Sequence, residues 1–223
     1  MVTKRREPED EGELDGRVLR GDRSRRAIVE ALYEIVRDGE LEPSAEAVAE
    51  RAGVGVRTVF RQFDDMEALY QAMGDRVRAD VLRLAQLSPP TGELATDLRT
   101  VVARRARVFE YIIPFRRSGR IVRHRSSSLR TQESALNEVL RVMIEAVVAP
   151  HLAPEHADTL EALDLVLSFE AWDRLRGAQG LSRARAERVL AAAAAALVHS
   201  AASGTSTPTT RRAPIAGALP GVP

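Results

Sequence analysis

Gly55, Val56, Arg57, Thr58, Arg61 and Gln62 fall on one side of a short predicted helix, and together they offer hydrogen-bond donors and small side chains without an acid. The major groove of DNA suits that combination, because arginine pairs bidentately with guanine whereas a carboxylate would face phosphate charge. The other side of the segment holds Val54 and Val59, placed to bury against a preceding helix. Ala49 is small enough to let two helix backbones approach, and Gly53 tolerates the positive φ that a tight turn between them requires. The spacing predicts a helix-turn-helix, although Ala-x3-Gly-Val by itself suits any helical hairpin.

Other chemistry is thinly supplied. The chain has no cysteine, which excludes disulfides, thiolate metal ligands and cysteine nucleophiles. His124, His151, His156 and His199 lack metal-site spacing. His151, His156 and Asp158 come nearest to a ligand set, but they flank Pro154 and read better as ordinary loop residues. Glu170 and Asp173 share a helix face without an evident acid–base partner, and no glycine-rich loop precedes a helix to cradle phosphate. The expectation is a protein that is not an enzyme and holds no metal or cofactor.

Among 223 residues, 33 basic side chains nearly balance 32 acidic ones, so the net charge of +1 does not announce a nucleic-acid partner and the distribution of charge has to. Met1–Gly16 is charged throughout, unlike a secretory leader. The apolar run that includes Ala191–Val198 is far short of the roughly 20 residues of a membrane span. A soluble, cytoplasmic protein without a membrane partner is expected.

The elements that must hold these residues are all helical. Ala27, Ile28, Ala31, Leu32, Ile35 and Val36 recur at three- and four-residue spacing, the stripe of a helix starting near Asp22 and stopping at Asp38-Gly39. Ser44 is placed to cap a second helix with Val48, Ala49 and Ala52 inward. A third runs from about Gly55 to Phe63 with Val59, Phe60 and Phe63 inward. Asp64-Asp65 caps a fourth carrying Leu69, Tyr70, Met73, Val77, Val81 and Leu84. Further helices are read at about 92–111, 114–124, 129–148, 157–176 and 182–202, broken by Pro114, Ser126–Ser128, Pro150–Pro154 and Gly177–Gly180. The predicted fold class is all-α, with about nine helices. It comprises a charged disordered arm over 1–21, a three-helix helix-turn-helix domain over 22–67, a helical ligand-binding and dimerisation domain over 68–202, and a Ser/Thr/Pro/Gly tail over 203–223.

The string Ala52-Gly-Val-Gly-Val-Arg-Thr-Val-Phe-Arg-Gln-Phe63, followed by Asp64-Asp-Met-Glu-Ala-Leu-Tyr70, resembles the recognition-helix signature of the TetR family, and the resemblance extends back to Arg23. More loosely, Trp172, Gly180-Leu181-Ser182, Val189, Leu190 and Leu197 look like the end of that family's regulatory domain. The resemblance implies a DNA-binding transcriptional regulator in which Thr58 and the capping amide at Ser44 hold phosphates. Gly55, Val56, Arg57 and Gln62 would then face the groove, with Arg57 and Arg61 the principal contacts. Three positions depart from the family pattern: Phe60 replaces its usual Tyr, Gln62 its frequent His, and Met66 its common Lys. The Tyr hydroxyl and the Lys usually grip phosphate, so backbone affinity must be lower here or come from elsewhere. Arg17, Arg20, Arg23, Arg25 and Arg26, where the chain leads into the first helix, are the candidate substitute, or else a solvated helix start.

One helix-turn-helix reads too few base pairs for specificity, so a homodimer on palindromic operator DNA is expected. Its surface would come from the last two helices, through Leu160, Leu163, Val166, Leu167 and Glu170 and the small residues Ala191–Ala196. Phe109, Phe115, Asn137, Leu140, Met143, Phe169 and Trp172, with Tyr111, Ile113 and Leu136 nearby, are candidates to line a pocket for a small-molecule effector, or are plain core. Between Val101 and Arg130 nine arginines meet only Glu110, which suits an anionic ligand, DNA near the domain hinge, or a solvated face. The expected function is a ligand-responsive repressor; the alternative is a helical ligand-binding or adaptor protein without sequence-specific DNA binding.

Overall fold

The computed structural model describes residues 9–85, 89–123, 127–151 and 157–202, which form helices joined by short connections with no strand among them. The first helix, α1 (Glu9–Arg37), buries Ile28, Ala31, Leu32, Ile35 and Val36 as the periodicity predicts, together with Tyr33. It begins at Glu9 rather than near Asp22, inside the stretch expected to be an arm. No proline interrupts the sequence between Pro8 and Pro43, and the segment's Glu, Leu and Arg carry the helix through Gly12, Gly16 and Gly21. The expected tail over 203–223 lies outside the described residues.

Three short-range devices set the next elements. Ser44 accepts a hydrogen bond from the Ala47 amide at 3.2 Å and starts α2 (Ala45–Ala52). Gly53 ends it at φ 66°, its amide donating to the Ala49 and Glu50 carbonyls, and α3 (Val56–Gln62) follows. Asp65 then accepts from the Ala68 amide at 2.8 Å to start α4 (Met66–Leu84). α4 buries Leu69, Tyr70, Met73, Val77 and Val81, whereas Leu84 lies outward.

In the second half, α5 (Leu94–Arg123) runs straight through Pro114, which was expected to divide it. Phe109, Ile112, Phe115 and Ser118 are buried on both sides of the proline, so the packed face outweighs the lost backbone hydrogen bond. α6 (Ser127–Val148) ends in a 3-10 turn, Ala149–His151. The single helix expected over 157–176 is instead α7 (Ala157–Val166) and α8 (Phe169–Asp173), the latter continuing as a π-helical turn, Arg174–Ala178. Ser168 makes the break: its backbone is extended (φ −74°, ψ 164°) and its hydroxyl accepts from the Ala171 amide, an N-cap hidden in an apolar run. The last helix, α9 (Arg183–Ala202), turns Ala186, Leu190, Ala194 and Val198 inward. α1 packs on α2, α3, α4 and α5, and α5 is the central post against α4, α6, α8 and α9.

Candidate nucleic-acid interface

α2 and α3 meet through buried Ala49 and Val59, with Val54 half-buried against the same core. The Val54 amide donates to the Ala49 carbonyl at 3.0 Å and the Thr58 amide to the Gly55 carbonyl at 2.7 Å, fixing the turn and the first turn of α3. Burying Val59 and Phe63, four residues apart, leaves Gly55, Arg57, Phe60 and Arg61 exposed and Val56, Thr58 and Gln62 half-exposed. Phe60 was expected inward. At 100° per residue it lies a full step off the Val59–Phe63 stripe, and 47% of its surface is open to solvent. Arg23, Arg57 and Arg61 make no hydrogen bond or ion pair with other described residues, and no acid lies within α3.

Ser44 spends its hydroxyl on the cap of α2, leaving the first-turn amides of that helix for an anion. Glu46 in the same turn opposes one: its carboxyl is held below the usual carboxylate range, chiefly by its own backbone amide and then by the Ser44 hydroxyl, so it is ionised there. Arg25, one of the candidate phosphate ligands, is engaged with the protein itself, its guanidinium donating to the Gln62 carbonyl and covering the Phe63 ring at 4.0 Å from the centroid.

The predicted effector residues separate into three groups. Phe115 and Phe169 line a cleft of about 120 Å³ among α4, α5, α6 and α8, with Tyr70, Met73 and Val77. Asn137, Leu140 and Phe169 border a second cleft of about 350 Å³ beside α7. Asn137 is an exposed residue accepting from Arg116 at 2.9 Å, not an amide sunk among apolar neighbours. Phe109, Met143 and Trp172 are packed core lining neither cleft, and the Trp172 indole donates to Glu110 at 3.0 Å.

The arginine-rich stretch is dispersed rather than gathered into a patch. Arg116 pairs with Glu133, and Arg117 and Arg120 both reach Asp173, at 3.0 and 3.5 Å. Arg105 is buried, donates to the Leu140 and Leu167 carbonyls, and stands 3.7 Å from Asp164; burial pulls its guanidinium down to about 10. The side chains of Arg123 and Arg125, and His124 and His156, lie outside the described residues. Among the described residues no three His, Asp or Glu side chains gather as metal ligands, and no helix is long and apolar enough to cross a membrane.

Sequence reasoning missed the polar contacts that tie the two halves together. Ser118 on α5, fully buried, donates to the Leu41 carbonyl in the α1–α2 connection at 2.7 Å and lies 3.2 Å from the Tyr70 hydroxyl. Tyr33 of α1 stacks on Phe115 at 5.0 Å and meets the Tyr111 hydroxyl at 3.2 Å, and Tyr111 donates to Asp80 at 2.6 Å. A buried serine and three tyrosines, in a chain with few polar core residues, were the available signal.

The sequence from 35 to 73 matches the family model described as bacterial regulatory proteins, tetR family. A comparison with curated proteins found no match. Among solved structures, the fold is similar to a TetR-family transcriptional regulator from Streptomyces coelicolor (TM-score 0.65, 17% identity, 82% of this chain and 83% of that one). It is also similar to a transcriptional regulator from Rhodococcus sp. RHA1 (TM-score 0.60, 19% identity, 80% and 97%). Residues 35–73 thus carry the N-terminal segment of the tetR family of bacterial regulatory proteins, with α3 presented free of acids, on a fold shared with solved regulators of that kind.

Proposed function

We propose that the protein is a cytoplasmic, ligand-responsive repressor that grips a palindromic operator as a homodimer and performs no catalysis. Residues 22–67 read DNA and residues 68–202 sense the effector and dimerise. The observation that carries the DNA reading is the face of α3, where Arg57 and Arg61 project without a partner among the described residues, beside exposed Gly55 and Phe60. Arg57 and Arg61 contact base edges, Val56, Phe60 and Gln62 flank them, and Thr58, Arg23 and the Ser44 cap meet phosphates.

Leu165, 72% exposed on α7, and Val189, 40% exposed on α9, support the dimer, since exposed Ala192, Ala195 and Ala196 beside Val189 let a second copy approach closely. Leu163 and Leu167, first expected in that interface, are buried in the chain's own core. Effector coupling draws support from the 120 Å³ cleft: Tyr70 and Phe115 line it, and their other sides touch Ser118 and Tyr33, which hold the DNA-binding half. An effector entering there and preferring one placement of α4 would change operator affinity, and operator would change effector affinity by the same factor.

The test is a titration of the protein and its Arg57→Ala, Arg61→Ala double variant against promoter-region DNA at several salt concentrations. A guanine-reading arginine is worth about 1–3 kcal/mol, so the double variant should bind at least tenfold more weakly. Sequence-preferring binding left unchanged by the double variant would remove α3 as the reader.

A further inference from the structure

The geometry points to Arg25 as a positioning residue that holds the reading helix in place without touching DNA, an inference that rests on the proposed role of α3. α3 has only seven residues, too short to keep a helical conformation by its own hydrogen bonds, so its orientation depends on how its two ends are fastened. The N-terminal end has no side-chain cap: Gly55 occupies that position and offers none. The C-terminal end is fastened from α1. Arg25 donates to the carbonyl of Gln62, the last residue of α3, which has no intrahelical partner there, and its guanidinium sits over the ring of Phe63, which anchors the chain in the core. One turn earlier on α1, Gly21 faces the same residue, and a Cβ there would make ordinary van der Waals contact, 3.9 Å, with the Gln62 side-chain nitrogen. The face of α1 bearing Gly21 and Arg25 is thus a seat for the end of α3.

Arg25 is exposed, so the rival role is a phosphate contact from the same arginine. The two roles differ in what the side chain must be. A phosphate ligand acts as a charge, which lysine also supplies, and contributes about one unit to the slope of log affinity against log salt. A clamp needs the planar fork that bonds a carbonyl while stacking on a ring, which lysine lacks.

The experiment uses the full-length protein and a duplex enriched by it from a random-sequence pool, with Arg25→Ala and Arg25→Lys compared by titration across salt. Both variants should lose about tenfold in affinity with the salt slope unchanged, because the arginines that meet the DNA are still present but misplaced. In the same variants the amides of Val59–Phe63 should exchange with solvent faster while those of α4 do not. Rescue by lysine with a slope lower by about one in the alanine variant would make Arg25 a phosphate ligand and overturn the proposal, as would unchanged affinity in both variants. Failure of the wild-type protein to enrich any sequence would instead count against the reading of α3. The amide exchange of α3 would then still decide whether Arg25 clamps it.

Discussion

Ser118 offers a closed test of how the two halves are joined. Its hydroxyl has one proton, and the 2.7 Å bond to the Leu41 carbonyl takes it. Tyr70, whose hydroxyl is pushed up by burial and so stays protonated, must therefore be the donor across the 3.2 Å gap to Ser118. Ser118→Ala removes both bonds at a site with no solvent access, stranding the Tyr70 hydroxyl, while the Leu41 carbonyl, near the surface, can partly rehydrate. One stranded buried group and one weakened one amount to about 2 kcal/mol, or roughly 4–8 °C in Tm for a chain of this size. Tyr70→Phe removes only the donor and should cost about 1 kcal/mol. In the double variant the phenol is already unpaired when it is deleted, so the second substitution adds nothing. The cycle should thus show an interaction energy of about 1 kcal/mol. Four urea or thermal melts at one protomer concentration measure it, the fixed concentration being needed because the proposed dimerisation would contribute to stability. Additivity of the two losses within about 0.5 kcal/mol would refute the Tyr70–Ser118–Leu41 chain.

Two further substitutions probe the joints around it. Gly53→Ala meets no atom within 4 Å, so its cost is that of the φ 66° backbone alone. It should be about 1 kcal/mol, or 2–4 °C in a thermal melt, and an unchanged Tm would mean the turn between α2 and α3 is not left-handed. Asp97 accepts from the Thr91 amide and hydroxyl, both at 2.9 Å, and from the Gly92 amide at 3.1 Å, and the Thr91 backbone bond chiefly holds its carboxyl below the usual range. A depressed carboxylate stabilises the fold above its unfolded pKa and loses that contribution as pH falls through the folded one. Asp97→Asn should therefore lower Tm at pH 7, and the gap to the wild type should close as pH falls below the usual carboxylate range; a gap independent of pH would refute the assignment.

How much of this was legible depends on the range of the signal. Ser44, Gly53 and Asp65 act on their own neighbours within four residues, and the sequence places all three where the structure does. Their spacing identifies α2, α3 and the start of α4, and with them the exposed Arg57 and Arg61. Local signals mislead when a packed face overrides them, as at Pro114, whose flanks are buried in the core, and when a cap hides inside an apolar run, as at Ser168. Phe60 shows the same limit from the other side. An aromatic residue reads as core by type, and only the phase set by Val59 and Phe63 turns it outward.

The arginines mark where sequence reasoning stops. Arg105 and Arg107 are two residues apart on α5, hence about 200° apart around it, and one is buried while the other is exposed. What makes the burial of Arg105 tolerable is a pair of carbonyls 35 and 62 residues away in sequence, at Leu140 and Leu167. The Leu167 carbonyl is available because Ser168 breaks the helix after α7, freeing an acceptor that a continuous helix over 157–176 would have used internally. An unbroken helix there would leave a buried guanidinium short of a partner, at a cost of several kcal/mol. The Ser168 cap and the buried arginine are thus one device, and a run of arginine codons read residue by residue cannot distinguish the member that staples α5 to α6 and α7 from those that face water.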